Sequence, residues 1–269
     1  MSSIFKILGS GAGPGVPSFF CDCQGCREAR GNPGLARTRS GALIVADDRH
    51  LLIDTPPDLR AQLVRERVSH IDEIFLTHWH YDHFGGLGEL EYYVKLARMK
   101  PIRLHLPPSA RESFARAYPE LSEIFTVVPW EFHHSEPFAS LTITPLPANH
   151  GIETAGFLVK SADRTLAYFP DTAGLPPDTL RVVAGSDWLI CDATFHGENW
   201  FPDRHMSTAE AIELGRKARA RQTVLTHLSI HYSQPVTVRE LQKTVSLYPD
   251  VVLAADGMSF PLLPSEASR

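Results

Sequence analysis

Short apolar runs recur from one end of the chain to the other, at residues 4–8, 42–46, 50–53, 73–76, 102–106, 141–145, 156–159, 165–169, 188–191, 223–226 and 251–254. They are rich in Ile, Leu, Val and Phe and are bounded by Gly, Pro, Asp or Asn, the pattern of strands closed by turns. Helical periodicity fills some of the gaps. Segment 57–68 opens on Pro57, where a missing N–H costs little, and its Leu59, Leu63 and Val64 share one face. Segment 88–98 repeats the pattern with Leu90, Val94 and Ala97. Ser207-Thr-Ala-Glu210 is a capping box that opens a helix carrying Ile212 and Leu214. The early strands follow one another without long helices between them, and helices intrude later. That order predicts an α/β protein of two packed sheets with helices outside, not a doubly wound parallel sheet.

A chain of 269 residues with 43% apolar and 21% charged residues has the composition of an ordinary folded domain, and one domain over 1–269 is the expectation. The net charge of −5 lacks the footprint of a general nucleic-acid binder. No apolar run approaches the roughly 18 residues of a membrane span. Lys6 interrupts the first apolar stretch and no small-residue cleavage site follows, so a signal peptide is not expected and a cytoplasmic location is. Gly9-Ser-Gly-Ala-Gly-Pro-Gly15 follows the first strand like a phosphate loop. Val16-Pro17 and two Phe come next instead of a helix, and no Lys-Ser or Lys-Thr is present, so it reads as a tight, close-packed turn.

The segment richest in chemistry is Ile74-Phe-Leu-Thr-His78-Trp-His80-Tyr-Asp82-His83, an apolar strand running into four metal-type ligands. Alternation along an extended chain points His78 and His80 to the same side. Asp82 and His83 follow where Gly85-Gly86 supply a turn, so one pair can hold one ion while the next reaches a neighbouring ion. Imidazole with carboxylate suits Zn, Mn or Fe. Three further strands each end on a ligand type, at His150, Asp171 and His227. Together these make seven, which is what two ions sharing a carboxylate require.

Cys21, Cys23 and Cys26 form a tight trio, whereas Cys191 stands in an apolar strand and reads as core. A bridge between cysteines two apart is strained, so the trio reads as metal ligation. His133 and His134 read as surface, and Arg216-Lys-Ala-Arg219-Ala-Arg221 as a solvated helix face. Trp79 and Tyr81 either pack behind the ligands or line a pocket.

These motifs resemble the metallo-β-lactamase superfamily. A closer likeness is to the PhnP-like cyclic phosphodiesterases of phosphonate catabolism. It is carried by Gly9-Ser-Gly-Ala-Gly-Pro-Gly-Val-Pro17, Cys21-x-Cys23-x-x-Cys26, Leu76-Thr-His-x-His80, Asp171-Thr-Ala-Gly-Leu-Pro176, Leu225-Thr-His227 and Asp256-Gly-Met258. The resemblance implies a four-layer αββα sandwich with two divalent ions, Mn or Zn, at one edge. His78, His80 and His150 would bind the first ion, Asp82, His83 and His227 the second, and Asp171 would bridge them. The implied reaction is hydrolysis of a small cyclic or nucleotide-like phosphodiester by a hydroxide formed between ions roughly 3.5–4 Å apart. Asp82 would help to orient it.

His205 matches a histidine of that family assigned as general acid or phosphate contact, and the helix N-terminus beside it suits an anion. The likeness further implies a structural zinc in a loop near 17–40, held by Cys21, Cys23, Cys26 and a histidine. The family places that histidine three residues past the last catalytic one, where this chain has Ile230. His231 is one further on, and a one-residue shift along a strand reverses the side chain, so His231, another residue, a water or no fourth ligand all remain open. A homodimer is also implied.

Fold and ligands alone admit other bonds, such as a lactone or thioester. The segments 36–40 and 57–63 also resemble PqqB, a relative tied to cofactor biosynthesis whose usual first motif lacks the full histidine set. This chain keeps all seven ligands, which favours catalysis. A transfer-RNA-processing role would need a basic, Gly-rich arm that the sequence does not have.

Overall fold

Among residues 3–263, which the structure, a computed structural model, describes, the apolar runs become two seven-stranded sheets. In chain order the strands are β1 (Ser3–Gly9), β2 (Gly41–Ala46), β3 (Arg49–Ile53), β4 (Glu73–Phe75), β5 (Ile102–Leu106), β6 (Phe125–Pro129) and β7 (Glu136–Phe138). They continue with β8 (Leu141–Pro147), β9 (Ala155–Lys160), β10 (Thr165–Phe169), β11 (Trp188–Asp192), β12 (Gln222–Thr226), β13 (Val251–Leu253) and β14 (Ser259–Leu263). The first sheet has the order β14-β1-β2-β3-β4-β5-β6 and the second β13-β12-β11-β10-β9-β8-β7. Both are mixed. β1 to β3 pair antiparallel and β3 to β6 parallel. β7 to β10 pair antiparallel and β10 to β13 parallel.

The helices are α1 (Gln24–Gly31), α2 (Leu59–Arg65), α3 (Tyr81–Phe84), α4 (Glu91–Tyr93), α5 (Arg111–Ala117), α6 (Pro177–Val183), α7 (Thr208–Ala218) and α8 (Val238–Val245). Three buried apolar clusters define the layers. Phe5, Ile44, Phe157, Tyr168 and Ile190 fill the space between the sheets. Leu52, Leu59 and Phe114 join the first sheet to α2 and α5. Leu189, Leu225, Val183, Ala211 and Leu241 join the second sheet to α6, α7 and α8. The result is the four-layer αββα sandwich. It explains the unbroken apolar run in β11: Ile190 faces the other sheet while Leu189 and Cys191 face the helices, so both faces are covered. No helix among the described residues is long and apolar enough to cross a membrane.

Some elements differ from the pattern. The helix expected over 57–68 forms only at α2, since the chain reaches positive φ at Arg67. Segment 88–98 is a 3₁₀ turn, the short α4 and a π turn, closed by Met99 at φ +59. Apolar spacing reports a shared face, not which hydrogen-bond step the backbone uses. The capping box at α7 forms in full: Ser207 Oγ accepts from the Glu210 N–H, and the Glu210 carboxylate accepts from the Ser207 N–H at 2.7 Å.

Packing on β9 is tight enough to test. A Cβ on Gly156 would meet the buried Phe169 ring at 2.0 Å, whereas one on Gly88 would meet nothing within 4 Å. Gly156→Ala is expected to lose about 1–3 kcal/mol of stability in urea unfolding, and Gly88→Ala to lose none.

Candidate metal centre

The chain leaves β4, β8, β10 and β12 at their carboxyl ends, and each following loop carries ligand-type residues to one edge of the sandwich. His78 and His80 stand in the loop after β4, and α3 follows at once with Asp82 and His83. The His83 N–H donates to the His80 carbonyl at 2.9 Å and closes that turn. His150 lies beyond β8, Asp171 beyond β10 and His227 beyond β12. His227 has φ +55, an uncommon conformation outside glycine, which turns the chain sharply as it leaves the strand.

All seven side chains converge. His80 Nδ1 lies 2.9 Å from His78 Nε2 and 3.1 Å from His150 Nε2. Asp171 Oδ2 lies 3.4 Å from His78 Nε2, 3.3 Å from His83 Nε2 and 3.7 Å from His227 Nε2. Asp82 Oδ2 is 3.8 Å from His83 Nε2 and 3.7 Å from His227 Nε2. Two sets of donor atoms result, His78, His80, His150 and Asp171 in one and Asp82, His83 and His227 in the other. Asp171 reaches both.

The hydrogen bonds behind the imidazoles assign their tautomers. Asp54, fully buried, accepts from the Thr77 N–H at 2.8 Å and from Thr77 Oγ1 at 3.0 Å. Because the Thr77 hydroxyl donates to Asp54, its oxygen accepts from His78 Nδ1 at 2.9 Å. Asp54 also accepts from His83 Nδ1 at 2.8 Å. On the other side Asp192, also fully buried, accepts from Thr194 Oγ1 at 3.1 Å, and that hydroxyl accepts from His227 Nδ1 at 2.8 Å. His150 Nδ1 donates to the Arg204 carbonyl at 2.7 Å. Four imidazoles thus present Nε2 inward, the outer-shell arrangement that fixes metal-ligating histidines.

Titration follows the same geometry. Burial, with His83 beside it, pushes His78 well below its ordinary value. Burial also pushes down His80 and, against the pull of Asp171, His150. Burial resists charge on His83 as well, but Asp54 and Asp82 outweigh it and hold that imidazole well above its ordinary value. The carboxylates that favour a proton there favour any cation. Asp171 is held well below the usual carboxylate range, with His227 and His150 overcoming its burial.

Divalent cations fit this donor set on two counts. His83 Nε2 and His227 Nε2 are buried with no hydrogen-bond partner, and each such group costs about 1–3 kcal/mol unless a donor or a cation meets its lone pair. Asp54, Asp82, Asp171 and Asp192 form no ion pair with Lys or Arg among the described residues; their charged neighbours are histidines.

His205 stands beside the seven. Its Nδ1 donates to Asp192 Oδ2 at 2.9 Å, and Asp171 with Asp192 outweigh its burial and hold it up to about 10. It lines a cleft of about 210 Å³ with Gly13, Asp82, Arg204 and Tyr232. The glycine loop is one wall of that cleft: a Cβ on Gly13 would sit 3.1 Å from Asp82 Oδ2, and Arg39 Nε holds the Gly13 carbonyl at 2.7 Å. The start of α7 differs from expectation as an anion seat. The amides of Ser207, Thr208 and Glu210 are already bonded to Glu210, Phe195 and Ser207. Trp79 stacks on Phe84 at 3.9 Å, whereas Tyr81 is exposed.

A second cluster joins Cys21, Cys23, Cys26 and His231. His231 Nδ1 is 2.9 Å from Cys26 Sγ and 4.0 Å from Cys23 Sγ, and its Nε2 donates to the Gly15 carbonyl at 2.7 Å. Burial pushes Cys26 up to about 12, whereas backbone donors at Cys26 and Gly25 outweigh burial at Cys23 and lower it. β12 ends at Thr226, so strand alternation does not govern where His231 points. Cys191 is fully buried in the core, and His133 and His134 are exposed.

The sequence pattern does not single out Asp54 or Asp192. Each follows or ends an apolar strand, β3 and β11, the same strand-end position as His150, Asp171 and His227, and that position is the one signal the sequence offers for them.

Residues 49–228 match the family model described as "Beta-lactamase superfamily domain", more than half of the chain. The crystal structure of a diphosphatase from the PhnP family superposes with a TM-score of 0.85 at 26% identity, covering 97% of both chains. Coenzyme PQQ synthesis protein B of Methylobacterium nodulans is 29% identical over 225 residues, 70% of this chain and 72% of that protein. Ribonuclease Z of Gemmatimonas aurantiaca is 25% identical over 299 residues, 88% of this chain and 95% of that protein. An octanoyltransferase of Porphyromonas gingivalis is 27% identical over 238 residues, 84% of this chain, which spans 46% of that relative's length.

Asp54→Asn removes the carboxylate that orients His83. Affinity of the centre for Zn or Mn should fall about 10–100-fold, read by competition with a chelator. Unchanged affinity would separate Asp54 from the centre.

Proposed function

The chain belongs to the β-lactamase superfamily, and we propose that it is a phosphodiesterase that hydrolyses a small cyclic or nucleotide-like phosphodiester with two divalent ions, Zn or Mn. The observation that carries this reading is the set of seven donors gathered around Asp171, with the Asp192-held imidazole of His205 facing the same cleft. His78, His80 and His150 would hold one ion, Asp82, His83 and His227 the other, with Asp171 reaching both. When bound, the pair supplies Lewis acidity that makes water nucleophilic near neutral pH and offsets charge growing on a phosphoryl oxygen.

The protein's own groups complete the chemistry. Asp192 accepts a hydrogen bond from His205 Nδ1, and the two carboxylates of Asp171 and Asp192 favour the protonated imidazole. It is then suited to donate from Nε2 to the departing oxygen as general acid. Arg204, exposed at the mouth of the cleft, offers a guanidinium to the non-bridging oxygens. The glycine loop keeps the wall beside Asp82 free of side chains. A diphosphatase and a ribonuclease among the similar proteins both act at phosphorus–oxygen bonds, which supports this choice of bond. The cysteine cluster would hold a third ion, zinc, whose role is to fix the loop carrying Gly15.

A second reading follows the likeness to Coenzyme PQQ synthesis protein B: a cofactor-pathway role without hydrolysis. One panel separates the two. With added Mn or Zn, bis(p-nitrophenyl) phosphate and a ribose cyclic phosphate should be hydrolysed, and the matching monoester and a lactone should not. Lactone turnover without diester turnover would change the bond, and silence throughout would favour the second reading. His205→Ala should keep both ions in elemental analysis and slow turnover by about 10²–10⁴; wild-type turnover would remove His205 from the mechanism. Cys23→Ser should lower the melting temperature and zinc content more than activity per folded molecule, and unchanged melting and zinc would count against the third ion.

A further inference from the structure

We propose that the rim of the cleft is an aromatic platform that seats the base of a nucleotide-type substrate; the proposal rests on the phosphodiesterase reading above and names its substrate class. Trp200 and Phe201 are each about half exposed, at 51% and 53%, on the loop that leads into Arg204 and His205. Phe201 and Tyr232 line the cleft itself, and the Trp200 and Tyr232 rings lie 5.9 Å apart at 33°. Beneath them the buried Phe195 ring has its centroid 6.2 Å from that of Trp200, 6.1 Å from that of Phe201 and 6.1 Å from that of His205. An aromatic cluster therefore links the proposed general acid to the exposed rings of the rim.

The loop holds these rings in place. Asn199 Oδ1 accepts from the Phe201 N–H at 3.0 Å, and Asn199 Nδ2 donates to the His205 carbonyl at 2.7 Å and to Glu210 at 3.0 Å. The amides of Arg204 and His205 both donate to the Phe201 carbonyl at 2.9 Å. Large aromatic rings fixed in water beside a polar cleft mark a binding surface rather than a packing remnant. Their chemistry selects the ligand. A flat π face flanked by the Arg204 guanidinium and a cation-seeking centre matches a planar base joined to a phosphate. Stacking of this kind tolerates any base, because every base has a π face.

Two measurements test the platform. Of the four tryptophans, Trp79 stacks behind the ligands, Trp130 is buried, Trp188 is half-buried and Trp200 is at the rim. AMP should quench tryptophan emission and ribose 5-phosphate should not, and Trp200→Leu should abolish the AMP response. In kinetics, thymidine 5′-(p-nitrophenyl phosphate) should be preferred over methyl p-nitrophenyl phosphate. Trp200→Leu and Tyr232→Leu should each lower that preference, as the ratio of kcat/KM values, about ten-fold. Equal responses to AMP and ribose 5-phosphate, or an unaltered preference in both variants, would overturn the platform while leaving the phosphodiesterase reading intact. Loss of a dimer in Trp200→Leu, read by sedimentation with no change in AMP response, would make the rim a protein contact and overturn it as well. If neither ester is cleaved, the phosphodiesterase reading falls and the AMP titration still decides the platform.

Discussion

Four carboxylates, those of Asp54, Asp82, Asp171 and Asp192, are packed into one edge of the sandwich with no lysine or arginine paired to any of them among the described residues. Like charges drawn together away from water repel strongly and lose hydration. Only positive charge at their centre relieves both costs. The imidazoles supply part of it, and their inward nitrogens leave room for cations to supply the rest. Much of the local structure serves this one demand, from the left-handed backbone at His227 to the glycine wall beside Asp82.

Two tiers of groups meet that demand differently. Asp82 and Asp171 face inward. Asp54 and Asp192 stand behind, each spreading its charge over backbone amides, a threonine hydroxyl and an imidazole. The threonines matter as much as the acids. Thr77 and Thr194 each donate a hydrogen bond to a carboxylate and accept one from a histidine, so a hydroxyl decides which ring nitrogen looks inward. His205 breaks this pattern, because it faces Asp192 directly and keeps its proton.

How much of this is legible in the sequence depends on whether neighbours along the chain carry the information. His78, His80, Asp82 and His83 are dense enough to be read as ligands, and His150, Asp171 and His227 gain meaning from them. The sandwich is legible because strand-length apolar runs arrive in the right order. Asp54 is not, because a lone acid after a strand is an ordinary sight and its partner Thr77 is 23 residues away. Segment 88–98 shows the same limit, since its apolar spacing suits one α-helix while the backbone passes from a 3₁₀ turn through the short α4 to a π turn. The meeting of His231 with Cys26 depends on a turn after β12 that no periodicity encodes.

The donors are divided between the two sheets. His78, His80, Asp82 and His83 follow β4 of the first sheet, whereas His150, Asp171 and His227 follow β8, β10 and β12 of the second. An ion seated among them would be a rivet through both halves of the sandwich. It would bind only when the halves are docked, so its affinity would add to the free energy of docking by mass action. Supply of the ion would then set how tightly this edge is clenched, and slow breathing of the seam would become a gauge of loading as well as of folding.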